Sequence, residues 1–299
     1  MTRLRLALVV TATAGSVALF VAVAHPGRLL ASLGALPASS IASAVAATMA
    51  GVMLVAFRWR LLLGGRSIEA SIARLFAALT IGSAVNNVVP ARAGDAVRVE
   101  SAHRLTGASR LAIAGSLVSE RIFDAFVLAV LVMVGALSTG SAGGFLWLGV
   151  GLGAAIAVGG AVASRFVSLG GARAVAATLG TTFAIWFADV VMYGALARGF
   201  DLHVSFGALL LLVGVGNLAL AIPGTAAGVG SFELVTLAGA HGIGVDGASL
   251  AAFVLAVHAV IVLPTTVTGL ACSRWALPRR GTVRVTEPQA SGAPHSAAA

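Results

Sequence analysis

Charged residues are scarce in this chain. Asp, Glu, Lys and Arg together make up 10% of its 299 residues, whereas hydrophobic residues make up 59%. A soluble domain carries about 25% charged residues, because its surface must contact water. The shortage of charge therefore excludes a soluble globular domain and predicts a protein whose surface contacts mainly lipid.

Cysteine is almost absent, and the common signatures of catalysis are missing. Cys272 is the only cysteine, which excludes an intrachain disulfide and a cluster of thiolate metal ligands. The sequence has no His-Glu-x-x-His pair, Walker A loop, dinucleotide-binding loop or nucleophile elbow. We therefore expect no enzyme activity, no metal site and no cofactor.

Lysine is missing as well, so all 19 basic residues are arginines, and the net charge is +9. A basic chain can bind nucleic acid, but these arginines lie between apolar runs rather than on one basic domain. That distribution is typical of cytoplasmic loops, which set the orientation of a membrane protein and contact anionic headgroups. We expect membrane lipids as partners and no nucleic acid.

Six apolar runs are long enough to cross a bilayer as helices, which takes about 20 residues. They occupy residues 6–24, 41–57, 111–137, 145–163, 174–197 and 250–272. The first run also resembles a signal peptide, but its length favours a retained helix. The predicted fold class is an all-α polytopic membrane protein with about six transmembrane helices.

Two further apolar stretches, residues 72–89 and 204–222, run into segments that break helices. The segments are Asn-Asn-Val-Val-Pro-Ala-Arg-Ala-Gly-Asp at residues 86–95 and Pro-Gly-Thr-Ala-Ala-Gly-Val-Gly at residues 223–230. Proline and clustered glycine interrupt helices, and the freed backbone groups cannot face lipid. We predict two re-entrant helical hairpins whose broken backbone is buried in protein or lines a wet cavity.

The positions of the arginines favour re-entry over crossing. With two re-entrant hairpins, all arginines are cytoplasmic except Arg28 and Arg198 outside and Arg121 in the membrane. If residues 72–89 crossed, the arginines of residues 92–110 and 165–173 would move outside, against the positive-inside rule. We predict a bacterial-type inner membrane protein with both termini in the cytoplasm.

Faint internal repeats follow the same arrangement. In one order along the chain, residues 42–48 resemble 172–178, Pro90 corresponds to Pro223, and residues 107–109 resemble 247–249. Inverted repeats with broken helices that meet near the midplane are a transporter architecture.

We predict one transmembrane domain over residues 1–277, with repeat halves at about 1–140 and 141–277. Residues 278–299 have no apolar period, and we predict a disordered cytoplasmic tail there.

Polar residues cluster at the first break, where they are Asn86, Asn87, Pro90, Arg92, Gly94, Asp95 and Arg98. Arginine suits bidentate contact with phosphate, so a lipid headgroup is a sensible ligand. One helical turn places Arg98 near Asp95. The alternative is structural, with Asp95 capping a helix and the arginines anchoring it at the interface.

A second cluster, Glu120, Arg121 and Asp124, lies inside an apolar span. Helical spacing predicts that Arg121 pairs with Asp124 and that Glu120 stacks beside Asp124. Ionisable groups in a membrane usually face a partner or a wet cavity. The cluster is either a headgroup or proton-coupling site, or a buried salt bridge that locks helices together.

The second break contributes Asn217, Pro223, Gly224, Gly228, Gly230 and Glu233. Glycine lets backbone N–H groups approach a ligand, and a helix that starts near Ser231 would point its positive end into the hairpin. The alternative is that Ser231 is only an N-cap, with Glu233 favoured in the first turn.

Three other polar features stand inside or beside the apolar runs. Asp189 and His258 are single polar residues within spans, and we interpret His258 as a packing hydrogen-bonder rather than a catalyst. The edge formed by residues 57–60, Phe-Arg-Trp-Arg, is interpreted as an interfacial anchor.

These motifs, in order, resemble the lysylphosphatidylglycerol synthase transmembrane (flippase-like) family over about residues 6–275. The resemblance rests on Arg58-Trp59-Arg60, Asn87-x-x-Pro90-x-Arg92-x-Gly94-Asp95-x-x-Arg98, Glu120-Arg121-x-x-Asp124 and Pro223-Gly224-x-x-x-Gly228-x-Gly230-x-x-Glu233. It implies an inner-membrane protein related to the flippase half of the multiple peptide resistance factor, to which movement of aminoacylated phosphatidylglycerol between leaflets is assigned. The aminoacyltransferase domain of the full-length synthase has no counterpart here, so we expect no lysylphosphatidylglycerol synthesis by this chain alone.

Three functions follow as hypotheses. The first is translocation or binding of an anionic phospholipid or lipid-linked substrate. Arg92, Arg98 and Arg121 would then contact the headgroup, and the acidic residues of the clusters would position it or carry protons. The second is secondary transport of a small polar solute, and the third is a non-transporting partner of a separate glycosyl- or aminoacyltransferase.

Overall fold

The computed structural model describes residues 26–65, 68–89, 93–141, 171–221 and 226–276, and isolated positions within 11–22 and 144–154. The continuous ranges contain helices and short turns and no strand, which confirms the predicted all-α class. Their helices are α1 (Pro26–Gly34), α2 (Ala38–Gly64), α3 (Ile72–Val88), α4 (Ala93–Thr106), α5 (Arg110–Ser138), α6 (Ala172–Gly199), α7 (Phe206–Ala221), α8 (Ser231–Gly242) and α9 (Leu250–Ala276).

Four of these helices, α2, α5, α6 and α9, are long and apolar enough to cross a bilayer. The chain is therefore a multi-pass membrane protein, as the apolar runs predicted. The predicted spans at 6–24 and 145–163 lie largely outside the described residues, and the predicted tail at 278–299 lies wholly outside them.

Each of the two interrupted stretches forms a helical hairpin. Helix α4 packs back along α3, and α8 packs back along α7. The first hairpin depends on glycine, because a Cβ built on Gly94 would lie 1.9 Å from the Gly82 carbonyl oxygen. Glycine at helix contacts lets two backbones approach closely, which favours helix association in membranes. The second hairpin bends through a short 3₁₀ turn at Ala226–Gly228.

Long helices and hairpins alternate in the same order twice along the chain. The first set is α2, the α3–α4 hairpin and α5, and the second is α6, the α7–α8 hairpin and α9. Helix α2 packs on α6, while α3 packs on α9 and α7 packs on α5. Each hairpin thus packs against the last long helix of the other set. Such reciprocal packing is typical of two structurally related halves. The exact bounds of the two repeat halves, residues 1–140 and 141–277, stay a prediction.

A glycine lies at each of the two contacts between a hairpin and the long helix of the other set. A Cβ on Gly135 of α5 would lie 2.7 Å from the Leu211 backbone nitrogen of α7, and one on Gly269 of α9 would lie 2.1 Å from the Thr80 carbonyl oxygen of α3. Larger side chains at either position would push the helices apart. The close packing of these helices brings the polar residues of α2 to α7 and α9 around one central space.

Candidate functional site

A cavity of about 260 Å³ lies at the centre of the bundle, between the long helices and the first hairpin. Both predicted clusters open into it, and so does one residue of the second break. The predicted site residues that line it are Asn86, Asp95, Arg98, Glu120, Arg121, Asp124 and Asn217. Helices that are distant in the sequence thus bring the ionisable residues to a single place.

The predicted pairing of Arg121 with Asp124 is wrong, because Asp124 pairs with Arg58 of α2. The Arg58 Nη1 atom donates to Asp124 Oδ1, and Nη2 donates to Oδ2 over 3.1 Å. Arg58 Nη1 also donates to Thr182 Oγ1 at 3.1 Å. The pair is bidentate, and Arg58 is only 2% exposed. Bidentate arginine–carboxylate pairs are among the strongest charged hydrogen bonds, so this pair ties α2 to α5.

Arg98 pairs with Glu120 rather than with its helical neighbour Asp95. Its Nη2 donates to Glu120 Oε1 over 2.8 Å. The Arg98 guanidinium carbon also lies 3.9 Å from the centre of the Trp59 ring, a cation–π contact. Trp59 Nε1 in turn donates to Ser116 Oγ over 2.8 Å. Glu120 therefore contacts a cation of the first hairpin, and it lines the same cavity as Asp124.

The interfacial-anchor interpretation of residues 57–60 is wrong for Arg58 and Trp59. Phe57 and Arg60 are exposed, but Arg58 and Trp59 are buried. Burial of Arg58 is possible because a carboxylate and a hydroxyl from two other helices satisfy its terminal nitrogens. Neither partner is predictable from the residues around Arg58, since both partners are on other helices.

Arg121 instead contacts Asp95 of the first hairpin. The Arg121 Nη2–Asp95 Oδ2 distance is 3.6 Å, and the two side chains are 50% and 33% exposed. Asn86 Nδ2 donates to Asp95 Oδ1 over 3.2 Å, and Asn86 Oδ1 accepts from the Gly94 N–H over 2.7 Å. Asn86 thus satisfies the start of α4 and orients the Asp95 carboxylate. Asp95 was predicted as a possible cap, and the contact to Gly94 N–H comes from Asn86 instead.

Asn87 joins the first hairpin to α9 rather than facing the cavity. Its Nδ2 lies within hydrogen-bond distance of three α9 oxygens, Val262 O at 3.3 Å, Thr265 Oγ1 at 3.3 Å and Thr266 Oγ1 at 2.8 Å. These contacts keep the end of α3 against the helix on which it leans. Asn87 therefore has a packing role in the described structure.

Asp189 of α6 lines the cavity, whereas the sequence interpretation noted it only as a single polar residue within a span. Among the described residues that line the cavity, three are arginines and four are carboxylates. Arg58, Arg98 and Arg121 each have a carboxylate partner. Asp189 has no cation within that lining, and Asn217 Nδ2 lies 3.5 Å from its Oδ2, at the limit of a hydrogen bond. A lone acid in an apolar span is itself a sign of function.

Three buried donors of lining residues lack a hydrogen-bond partner in the described structure. They are Arg58 Nε, Arg98 Nε and Trp186 Nε1. Buried polar atoms normally have partners, and each of these atoms can only donate. The cavity lining thus has an unmet need for hydrogen-bond acceptors.

The second break forms a separate site around Glu233 and His258. Glu233 Oε2 accepts from the Gly230 N–H over 2.7 Å, and Glu233 Oε1 lies 2.5 Å from His258 Nδ1. His258 Nε2 lies 2.9 Å from the Ala227 carbonyl oxygen. A carbonyl oxygen only accepts, so the proton of this contact is on His258 Nε2. The contact between His258 Nδ1 and Glu233 Oε1 needs a second proton, which lies between these two atoms. The histidine is a packing hydrogen-bonder, as interpreted, and it holds the break.

The backbone of this break needs glycine. Gly228 and Gly230 have φ values of 78° and 86°, which lie in the left-handed region that glycine adopts without strain. Helix α8 begins at Ser231, and Gly230 is its N-cap, so the predicted Ser231 cap is displaced by one residue. Among the described lining residues, the cavity includes neither these glycines nor Glu233.

The remaining predicted residues fall outside the described part of the chain. They are Pro90, Arg92, Pro223 and Gly224. Gly94 lies beside the cavity, where it packs on Gly82 and Asn86. Within the described ranges, no three His, Cys, Asp or Glu residues are grouped so that they could hold a metal ion.

Comparison with protein families gives one match. A family described as "Lysylphosphatidylglycerol synthase TM region" matches residues 4–169 and 164–269. These two segments span both hairpins and the whole lining of the central cavity. Comparison with curated proteins found no match.

Proposed function

The chain belongs to the lysylphosphatidylglycerol synthase transmembrane family, and on that premise we propose that it carries a lipid between the leaflets of the membrane. The lipid headgroup would bind in the central cavity. The substrate class that we propose is a phospholipid or lipid-linked molecule with an anionic phosphate in its headgroup. The membrane in question is a bacterial-type inner membrane.

The observation that carries this proposal is the set of unpartnered donors in the cavity lining. Arg58 Nε, Arg98 Nε and Trp186 Nε1 have no partners in the described structure. A phosphate has several acceptor oxygens and accepts well from guanidinium and from indole N–H groups. These donor atoms are covered by neighbouring atoms in the described structure, so a phosphate in the cavity would accept from them once the side chains turn towards it.

The charges of the cavity refine the ligand. The lining holds three arginines and four carboxylates, so it offers no excess of positive charge to an anion. A phosphate is therefore accommodated best when a positive charge enters with it. An amine of the same headgroup, or a proton, would supply that charge at Asp189, whose carboxylate has no cation in the described lining. Asp189 thus takes the role of positioning the headgroup or carrying a proton, which the sequence hypothesis gave to the acidic residues of the clusters.

The size of the cavity also limits what it takes. At about 260 Å³, it is below the usual range of about 300–1,000 Å³ for pockets that enclose drug-sized ligands. It can hold a headgroup but not a whole phospholipid. The acyl chains would then lie outside it.

The test is the exchange of a labelled anionic phospholipid between leaflets of proteoliposomes, with the Trp186→Phe variant. This change removes one N–H donor and keeps an aromatic ring. Because the donor has no partner in the described structure, its loss removes no hydrogen bond from the folded protein, and thermal unfolding checks that the smaller ring leaves the fold intact. We expect wild-type protein to exchange the lipid faster than protein-free vesicles and Trp186→Phe to be about tenfold slower.

The matched control is Trp147→Phe, because Trp147 is exposed and lines no part of the central cavity. It should exchange lipid at the wild-type rate. Equal rates for wild type and Trp186→Phe would contradict a phosphate at this donor. If wild-type protein moves no lipid but takes up a water-soluble solute, the chain is a solute carrier instead.

A further inference from the structure

A second, mainly apolar groove runs between α4 and α5. Its volume is about 320 Å³, and its apolar lining is Ala96, Val99, Ala114, Leu117 and Val118. These residues recur every three or four positions, so they form one stripe on each helix, and the two stripes face each other. Ala96 and Val118 are exposed, so the groove opens on the outer surface of the bundle.

The groove meets the central cavity at one ion pair. Asp95 and Arg121 line both spaces. On one side of this pair lie the buried arginines and carboxylates, and on the other side lie only apolar side chains. Together, the polar cavity and the apolar groove match the two parts of an amphiphilic molecule, which has a polar headgroup and an apolar chain.

The ion pair at the junction is the loosest of those around the cavity. The Arg121–Asp95 distance is 3.6 Å and both side chains are partly exposed, whereas Arg98 and Glu120 are 2.8 Å apart with side chains 6% and 3% exposed. Exposed pairs contribute little to stability because water and salt screen them. The junction can therefore open at little cost, unlike the pairs deeper in the cavity.

We propose that the α4–α5 groove holds an acyl chain of the lipid whose headgroup occupies the central cavity. This inference rests on the proposed function and adds to it the side of the bundle through which the lipid enters and leaves. The occupant is an acyl chain rather than a protein segment because the groove continues directly from the headgroup cavity. The groove opens on α5, a helix long and apolar enough to span the bilayer, as an acyl-chain site would require.

The test fills the groove with Val118→Trp. Val118 is 49% exposed, so the larger ring is tolerated at the surface while its bulk enters the groove. The matched control is Val134→Trp on the same helix, at a residue that is 44% exposed and does not line the groove. Both variants should match the wild type in thermal stability and in elution from a size-exclusion column.

Two readouts separate this groove from the headgroup cavity. The first is exchange of a full-length phosphatidylglycerol between leaflets of proteoliposomes, and the second is binding of water-soluble glycerol phosphate, which has no acyl chain. We expect Val118→Trp to slow lipid exchange by about tenfold or more, because the ring occupies the space that the acyl chain would fill. Binding of glycerol phosphate should be unchanged, and Val134→Trp should behave as the wild type in both assays.

Each other outcome overturns a stated part of the argument. Wild-type exchange by Val118→Trp overturns the groove and leaves the headgroup cavity intact. Loss of glycerol phosphate binding together with lipid exchange overturns the separation of the two spaces. If Val118→Trp changes only the oligomeric state, measured by light scattering, the groove is a contact between copies. If the wild type neither exchanges the lipid nor binds glycerol phosphate, the proposed function itself fails.

Discussion

Arg58 of α2 and Asp124 of α5 are 66 positions apart in the sequence, yet both terminal nitrogens of the Arg58 guanidinium contact the Asp124 carboxylate. The pair joins two of the four described helices that are long enough to cross the membrane. It also decides the partners of the remaining ions, because Asp124 is no longer available to Arg121. Arg121 contacts Asp95 instead, which places the looser pair at the edge of the cavity.

Removal of Arg58 should destabilise the protein strongly. Arg58→Ala leaves the Asp124 carboxylate without its cation, and breaking a buried pair costs about 3–5 kcal/mol. Arg58→Ala combined with Asp124→Ala should recover part of the loss. Thermal unfolding of detergent-purified protein measures both effects. Arg121→Ala is the control, and it should cost at most about 1 kcal/mol, since its own pair is half exposed. A larger loss of stability in Arg121→Ala than in Arg58→Ala would instead support the pairing of Arg121 with Asp124 that helical spacing predicts.

The orientation predicted from the arginines is testable with single cysteines. In a Cys272→Ser background, Arg104→Cys should react only with reagents that reach the cytoplasm, and Ser141→Cys should react from outside. The physical reason is the positive-inside rule, which keeps the arginine-rich segments in the cytoplasm. Labelling of intact cells with a membrane-impermeant maleimide, before and after lysis, gives the measurement. Labelling of position 104 from outside would show that residues 72–89 cross the membrane.

The second break should loosen when the Glu233–His258 contact is removed. Glu233→Ala leaves the Gly230 N–H without its acceptor and His258 Nδ1 without its partner, and a buried group left unpaired costs about 1–3 kcal/mol. Hydrogen–deuterium exchange over residues 226–236 should speed up in Glu233→Ala and in His258→Ala. The double variant should lose less free energy of unfolding than the sum of the two single variants, because the side chains share one interaction. Additive losses would mean that the two residues act independently.

One surface cluster should make stability depend on acidic pH. Hydrogen bonds from Arg110 and Arg104 lower the pKa of Glu100 to about 2 from an ordinary value of 4.5. A lowered pKa in the folded state means that the contribution is fully present above the unfolded value and is lost as the pH falls through the folded value. The difference in melting temperature between wild type and Glu100→Gln should therefore shrink from pH 4.5 towards pH 2. High salt should reduce the same difference at neutral pH, because the three groups are exposed. A difference that stays constant over this range would contradict the ion cluster.

The class of the protein and the position of its two breaks were predictable from the sequence. Hydropathy over about 20 residues identifies a membrane helix without reference to the rest of the chain. A proline with neighbouring glycines or asparagines interrupts a helix wherever it stands. For the same reason, Asn86, Asp95 and Arg98 were recognised as one cluster, since they lie close together along the chain, on the two helices of one hairpin.

The sequence by itself thus determined an all-α membrane protein with two interrupted stretches, because these features depend on residues that are neighbours along the chain. Only the tertiary structure decided which ions meet. Arg58 pairs with Asp124, Arg98 with Glu120, and Asp189 joins the cavity with no cation in its described lining. Glu233 contacts His258 and does not line the cavity. A buried charge takes whichever partner helix packing brings within reach, and the packing of α2, α5 and α6 is set by contacts between segments that are far apart in the sequence.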